Sequence, residues 1–237
     1  MIFAAGLGTR LHPYTIDKPK ALVEVAGKPL LQLAIERVSA AGYKDIVINI
    51  HHFGVQIIDF LQRNNNFGLN IVISDERDKL LDTGGGILKA ASYFSANGPF
   101  LVYNVDVLSN INLDAFRSYH IEMGGLATLA VRERKTARYL VFNEDLMLSG
   151  WKNIKTGEEK VVRESIIQRM FAFSGVQLID PSIFNLITES GSFSLISLYL
   201  RLAQTENIFG YIDTSSLWMD LGKPEQLKEA EKYLKSH

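Results

Sequence analysis

Met1-Ile2-Phe3-Ala4-Ala5-Gly6-Leu7-Gly8-Thr9-Arg10 carries a very short apolar strand straight into a glycine loop. Glycine lets the main chain turn tightly and approach a ligand closely. Amide N–H groups exposed in such a turn can point at the oxygens of an anion. Arg10 adds a planar, permanently charged donor of the kind that suits phosphate. The fold-deciding feature is therefore a strand that ends in an anion-friendly turn.

Moving outward, Lys18, Lys20 and Lys28 follow, so residues 1–28 hold four basic side chains against two acidic ones, Asp17 and Glu24. A locally positive segment in a chain of net charge −1 favours an anionic ligand. Two common phosphate motifs are excluded. No Gly-Lys-Ser/Thr follows the loop, and a dinucleotide fingerprint starting at Gly6 needs glycine or alanine where Leu11 stands. By itself the loop is equally compatible with a structural turn.

The rest of the chain supplies the architecture. Ile46-Val47-Ile48-Asn49-Ile50, Ile71-Val72-Ile73, Phe100-Leu101-Val102-Tyr103 and Leu126-Ala127-Thr128-Leu129-Ala130-Val131 read as strands. Helical spacing appears between them, over 30–41, 55–64 and 87–94. Continuous apolar strands separated by helices predict an α/β fold with a mostly parallel sheet covered on both faces. Residues 132–175 break the rhythm and predict hairpins or a flap, with Gly150 and Gly157 at turns. Helices are expected again near 182–187 and 194–204. Pro224 to Lys235 reads as a helix with proline and Glu225 early and Lys232 and Lys235 late.

Composition bounds the function. The 237 residues are 47% hydrophobic, enough for one large core, and a single domain spanning 1–237 is expected. Cysteine is absent, which excludes disulfides, thiolate metal sites and cysteine nucleophiles. The near-neutral charge gives no reason to expect nucleic acid or membrane as a partner. With no signal-peptide pattern and no apolar run of about 20 residues, the expected location is cytoplasmic.

Three further elements carry chemistry. Asp82-Thr83-Gly84-Gly85-Gly86 presents a patch of bare main chain against which a flat base could lie; the bland alternative is a glycine-rich helix start. Asp106 interrupts an apolar run at a strand end, where ligands of open α/β sheets bind and a buried carboxylate needs a partner. Asp220, within Trp218-Met219-Asp220-Leu221-Gly222, sits in a comparable setting before a helix. Hard carboxylate oxygens beside phosphates suit Mg²⁺. An isolated Asp at either place is equally a cap or turn residue. The pair His51-His52 reads as a loop after a strand.

Residues 4–30, in one gap-free stretch, resemble the signature of the sugar-1-phosphate nucleotidyltransferases, and so do Asn104-Val105-Asp106 and Trp218-Met219-Asp220-Leu221-Gly222. Val105 stands where a small residue is more usual. The resemblance implies a three-layer, Rossmann-like nucleotidyltransferase fold with a small hairpin region over the sugar. It implies nucleotide binding by Ala5, Gly6, Gly8, Thr9 and Arg10, with base contact at Gly84 and Gly85. Catalytic roles fall to Arg10, Lys20 and Asp106. Asp106 and Asp220 would hold Mg²⁺, and Asn104, Ser174 and Gly175 would line the sugar pocket.

The implied reaction joins a sugar 1-phosphate to a nucleoside triphosphate with release of pyrophosphate. UTP is the favoured donor and N-acetylmuramic acid 1-phosphate the leading acceptor. GTP with mannose 1-phosphate is the alternative. No C-terminal β-helix domain is expected, and a homodimer is a compatible expectation. Two other classes are alternatives: a nucleotide-sugar-binding protein without turnover, which would be expected to lack Lys20 or an aspartate, and a nicotinamide-dependent oxidoreductase, which the glycine spacing disfavours.

Overall fold

The computed structural model describes residues 1–94 and 98–236. The chain divides into two compact units, Met1–Leu81 with Tyr103–Asn110 and Ser216–His237, and Asp82–Val102 with Ile111–Ser215.

The first unit is built on parallel strands. Ile2–Phe3 pairs with Asp45–Ile50 on one side, Ile2 opposite Ile48, and with Tyr103 and Asn104 on the other. Asp45–Ile50 then pairs in parallel with Asn70–Asp75. The strand Asp45–Ile50 buries five consecutive residues, as a strand covered on both faces must. Helix Leu30–Ala40 buries Leu30, Ala34 and Val38 together with Leu31 and Ile35. That spacing makes one apolar stripe, and each large side chain so buried contributes about 1.5–3 kcal/mol. Helices Gly54–Arg63 and Pro224–Ser236 complete the unit.

The second unit is mixed. Ala127–Arg132 pairs antiparallel with Arg169–Ile179 and parallel with Ile208–Ile212. Arg169–Ile179 continues into an antiparallel set of Arg138–Phe142, Leu148–Asn153 and Glu159–Val161. Its helices are Asp82–Lys89, Leu113–Met123 and Leu195–Leu202. The helix Leu113–Met123 starts and stops for legible reasons. Asn112 Oδ1 accepts the Ala115 N–H at 3.0 Å, and Gly124 ends it at φ 59°. Phe94, Phe100 and Phe184 stack as a further core, with Phe94 and Phe100 centroids 3.9 Å apart.

The α/β class and the parallel sheet expected from the sequence are present. Two local expectations are corrected. Gly157, with φ 75°, does sit at a hairpin turn, but Gly150 lies inside the strand Leu148–Asn153 at a register irregularity. A Cβ there would stand 2.5 Å from the Lys160 carbonyl oxygen, so this glycine permits close strand approach and makes no turn. The helix expected over 87–94 begins earlier. It spans Asp82–Lys89, and the glycine run forms its opening turns.

No helix among the described residues is long and apolar enough to cross a membrane.

Candidate active site

The glycine loop leaves the strand Ile2–Phe3 and is fixed at its root. The Ala4 N–H donates to Asn49 Oδ1 at 2.7 Å, and Asn49 Nδ2 donates to Glu76 Oε1 at 2.8 Å. Glu76 Oε2 accepts the Leu81 N–H at 3.2 Å. Asn49 and Glu76 are 3% and 1% exposed, so these bonds replace water that the groups have lost. Neither residue was singled out from the sequence. The available signal was Asn49 itself, one amide in an otherwise β-branched buried strand.

Within the loop the two expected glycines differ. Gly8 adopts φ 66°, and a Cβ on it would stand 2.9 Å from Lys20 Cβ and 3.0 Å from Thr15 Cγ2. Thr15 Oγ1 donates to the Gly8 carbonyl at 3.0 Å. The loop is thus pressed against the stem of Lys20. Gly6 is exposed, and a Cβ there would meet nothing within 4 Å. Its space is open to a ligand. Ala5 is buried, while Thr9 and Arg10 are exposed.

Lys20 lies in a short 3₁₀ turn, Lys20–Leu22, and is buried. Its Nζ forms an ion pair and hydrogen bond with Asp106 Oδ2. The side chains retain 11% and 19% of their exposure. A pair this poorly hydrated cannot lose one member cheaply, because the other is then left uncompensated.

Asp106 precedes the short strand Val107–Ser109, which pairs antiparallel with Trp218–Asp220 so that Asp220 faces Val107. The Leu221 N–H donates to the Asp106 carbonyl at 2.8 Å. Main-chain bonds therefore tie the two aspartates together. Asp220 Oδ1 accepts the Gly222 N–H at 3.0 Å. A Cβ at Gly222 would lie 2.7 Å from Asp220 Oδ1 and 2.8 Å from an Arg10 guanidinium nitrogen. Glycine at this position lets the arginine and the carboxylate share one patch of main chain. Asn104 is half-buried in the same unit, in register with Phe3.

Lys20, Asp106, Arg10 and Asp220 thus belong to one unit with the glycine loop. Gly84, Gly85, Ser174 and Gly175 belong to the second.

Gly84 and Gly85 are buried in the helix Asp82–Lys89. Their N–H groups both point at the Phe193 carbonyl, at 2.8 and 3.4 Å. A Cβ on Gly84 would stand 2.3 Å from the Phe193 ring. The bare main chain is used here for packing. Thr83 Oγ1 accepts the Leu195 N–H at 2.9 Å, which joins the starts of two helices. Asp82 begins the first of these at φ 56°, a conformation few residues with side chains adopt, and its carboxylate accepts the Thr83 N–H at 2.6 Å.

Ser174 and Gly175 are buried on the strand Arg169–Ile179. Gly175 has φ 79°, and the register against Ala127–Arg132 shifts between Phe173 and Gln177. The strand therefore bulges at the two residues expected to line the sugar, and bulges commonly re-aim side chains beside binding sites. Of the paired histidines, His51 Nδ1 lies 2.7 Å from the Glu76 carbonyl oxygen.

A family model described as Nucleotidyl transferase matches residues 1–237. The chain is 35% identical to an N-acetylmuramate alpha-1-phosphate uridylyltransferase of Caulobacter vibrioides, over 98% of this chain and 94% of that one. It is 28% identical to mannose-1-phosphate guanyltransferase 2 of Candida glabrata, over 95% of this chain but only 61% of the relative's length. Among solved structures, HddC from Yersinia pseudotuberculosis complexed with GMP-PN superposes with a TM-score of 0.79 at 22% identity, covering 98% of this chain and 97% of that one. That last likeness speaks to the fold.

Proposed function

The chain belongs to the nucleotidyl transferase family, and we propose that it transfers a uridylyl group from UTP to a sugar 1-phosphate, with N-acetylmuramic acid 1-phosphate as the leading acceptor. The observation that carries this reading is the Lys20–Asp106 pair at the root of the glycine loop, a cation and an anion held ready within one unit.

In this reading a phosphate oxygen of the sugar 1-phosphate attacks the α-phosphorus of the triphosphate in line. The bond from the α-phosphorus to its bridging oxygen breaks, and pyrophosphate leaves with the electron pair. No covalent bond to the protein forms. The open face at Gly6 and the main chain of Ala5, Gly8 and Thr9 receive the triphosphate. Lys20 and Arg10 stabilise charge as it builds on the transferring and leaving groups. Asn104, Ser174 and Gly175 would contact the sugar. For Gly84 and Gly85 to touch the base, the 193 segment that covers them would have to withdraw, because their amides are already bonded to it.

Two carboxylates fixed to neighbouring main chain are the oxygen donors that Mg²⁺ uses when substrate phosphates and water complete its shell, so Asp106 and Asp220 fit this ion. When bound there, it would supply charge neutralisation between two phosphates that otherwise repel.

The test is pyrophosphate release with Mg²⁺, crossing UTP and GTP against N-acetylmuramic acid 1-phosphate and mannose 1-phosphate. Release with UTP and the muramic acid ester is expected. Release with GTP and mannose 1-phosphate would favour the second reading, which the guanyltransferase relative motivates. Nucleotide binding without release from any pair would leave a binding protein.

A further inference from the structure

Asp106 and Asp220 sit on a ribbon too short to hold itself. Its strands, Val107–Ser109 and Trp218–Asp220, make three residue pairs and form a two-stranded sheet of their own. A lone two-stranded pairing is marginal in water even at greater length. Groups outside the ladder must therefore fix the main chain from which the two carboxylates depart.

The register says where to look. At one end the Leu221 N–H donates to the Asp106 carbonyl, and at the other the Asn110 N–H donates to the Leu217 carbonyl at 3.2 Å. In an antiparallel pair, bonded and non-bonded positions alternate. Val107 and Ser109 are then non-bonded positions, and their carbonyls turn away from the partner strand. Both carbonyls are met by side chains of the same unit. The Tyr103 hydroxyl donates to the Val107 carbonyl at 3.1 Å, in a bond that spans the turn containing Asp106. Tyr103 is 1% exposed and Val107 is buried, so this bond is sheltered from water. Arg37 Nε, from the helix Leu30–Ala40, donates to the Ser109 carbonyl at 3.0 Å.

Asn110 closes the far end. Its Oδ1 accepts the Leu217 N–H at 2.9 Å, taking the place that its own carbonyl would have in a continued ladder. Its Nδ2 donates to Ser216 Oγ at 3.0 Å. One exposed side chain thus imitates a further rung and pins the chain just before Trp218.

We propose that Tyr103, Arg37 and Asn110 are positioning residues, a clamp that holds the ribbon in the arrangement in which Asp106 and Asp220 take a divalent cation. The proposal rests on the metal role given to the two aspartates above and extends it to the groups that aim them. Partners that orient metal ligands commonly change metal affinity by about 10–100-fold.

Tyr103→Phe removes one hydroxyl and keeps the buried ring, and Asn110→Ala removes an exposed amide. Tyr199→Phe, in the second unit, is the matched control: it removes a buried hydroxyl that donates to Gln177 Oε1 at 3.1 Å. Two readouts are taken without substrate. Hydrogen exchange of the Leu221 amide reports the ribbon. Titration with Mn²⁺, followed by electron paramagnetic resonance, reports the cation site. In both ribbon variants Leu221 exchange should quicken and the Mn²⁺ dissociation constant should rise, each by about ten-fold. The control should show neither change.

Unchanged Leu221 exchange, or quicker exchange with unchanged Mn²⁺ affinity, overturns the proposal. So does an equal loss of Mn²⁺ affinity in the control, which would mark a general loosening. Wild-type protein that binds no Mn²⁺, or binds it no less tightly after Asp106→Ala, overturns it together with the metal assignment. If no substrate pair yields pyrophosphate but Tyr103 and Asn110 still set the Mn²⁺ affinity, the transfer reading fails and the clamp stands.

Discussion

In the first unit, charge is placed by main chain. Asp106 and Asp220 are set by strand pairing and by the Leu221 and Gly222 amides, and Lys20 is set by a loop that only glycine can close over its stem. In the second unit, charge is placed by side chains. Arg134, Arg138 and Lys160 reach one cavity from a loop and two separate strands, on long flexible stems. Main-chain placement holds a donor to a fraction of an ångström, whereas a long side chain keeps rotamer freedom that costs entropy to fix.

The contrast can be broken most directly at Lys20 and Asp106. Lys20→Ala or Asp106→Ala should lower kcat/KM for pyrophosphate release by about 10³-fold, the scale of losing a charge aimed at the transition state. Circular dichroism should show the fold retained. Near-full activity of Asp106→Ala would show that main-chain placement of this carboxylate serves something other than catalysis.

The next test sets the two loop glycines against each other. Gly8→Val forces a side chain into a left-handed conformation and against the Lys20 stem. It should lower kcat by about 10²-fold, the cost of misplacing a catalytic group by about an ångström, and destabilise the fold by about 1–3 kcal/mol. Gly6→Ala meets no atom and should leave the melting temperature near that of the wild type, with its effect confined to triphosphate KM. Equal loss of stability in both variants would erase the distinction.

Beneath the loop the expected effect is on stability and not on the chemical step. Asn49→Ala leaves the Ala4 amide and one Glu76 oxygen without their buried partner. It should lower stability by about 2–6 kcal/mol in chemical denaturation, since two groups are orphaned and each costs about 1–3 kcal/mol. In the second unit, Gly84→Ala drives a methyl into Phe193 and should cost about 1–3 kcal/mol. A stable Gly84→Ala variant with altered nucleotide preference would support base contact at that glycine.

The weakest effect concerns pH. Burial holds the His120 imidazolium unfavourable and lowers its pKa, against a smaller opposing pull from Asp180. Its Nδ1 lies 2.8 Å from Thr128 Oγ1. A lowered folded-state value means that the unfolded chain takes up the proton first as pH falls. Stability from this residue is complete above about 6.5 and declines below it. Thermal melts should therefore show His120→Gln losing less stability than the wild type between pH 7.5 and 5.5.

Legibility in the sequence follows the same division. The glycine loop, Lys20, Asp106 and Asp220 were readable because strand ends and tight turns impose short, ordered motifs. The five-residue buried strand and the stripe at Leu30, Ala34 and Val38 were readable because burial imposes a period. Gly150 was misread because a glycine that permits strand contact looks the same in sequence as one that makes a turn. The run at Gly84 has that ambiguity too: it opens a helix and packs on Phe193, more than a hundred residues away. Arg134, Arg138, Trp151 and Lys160 are spread over 27 positions of sequence, and only the pairing of the hairpin strands brings them to one cavity.

The ion pair between Lys20 and Asp106 also bears on how ligands arrive. An anion that draws Lys20 away leaves a bare carboxylate behind, and a cation that captures Asp106 releases a bare ammonium. Each event alone creates the charge that the other would quench. On the proposed reading, the triphosphate and the divalent ion therefore bind with positive coupling, each raising the affinity for the other by the same factor. The pair is electrically self-contained, and it gives up that neutrality most readily to a partner that brings both signs at once.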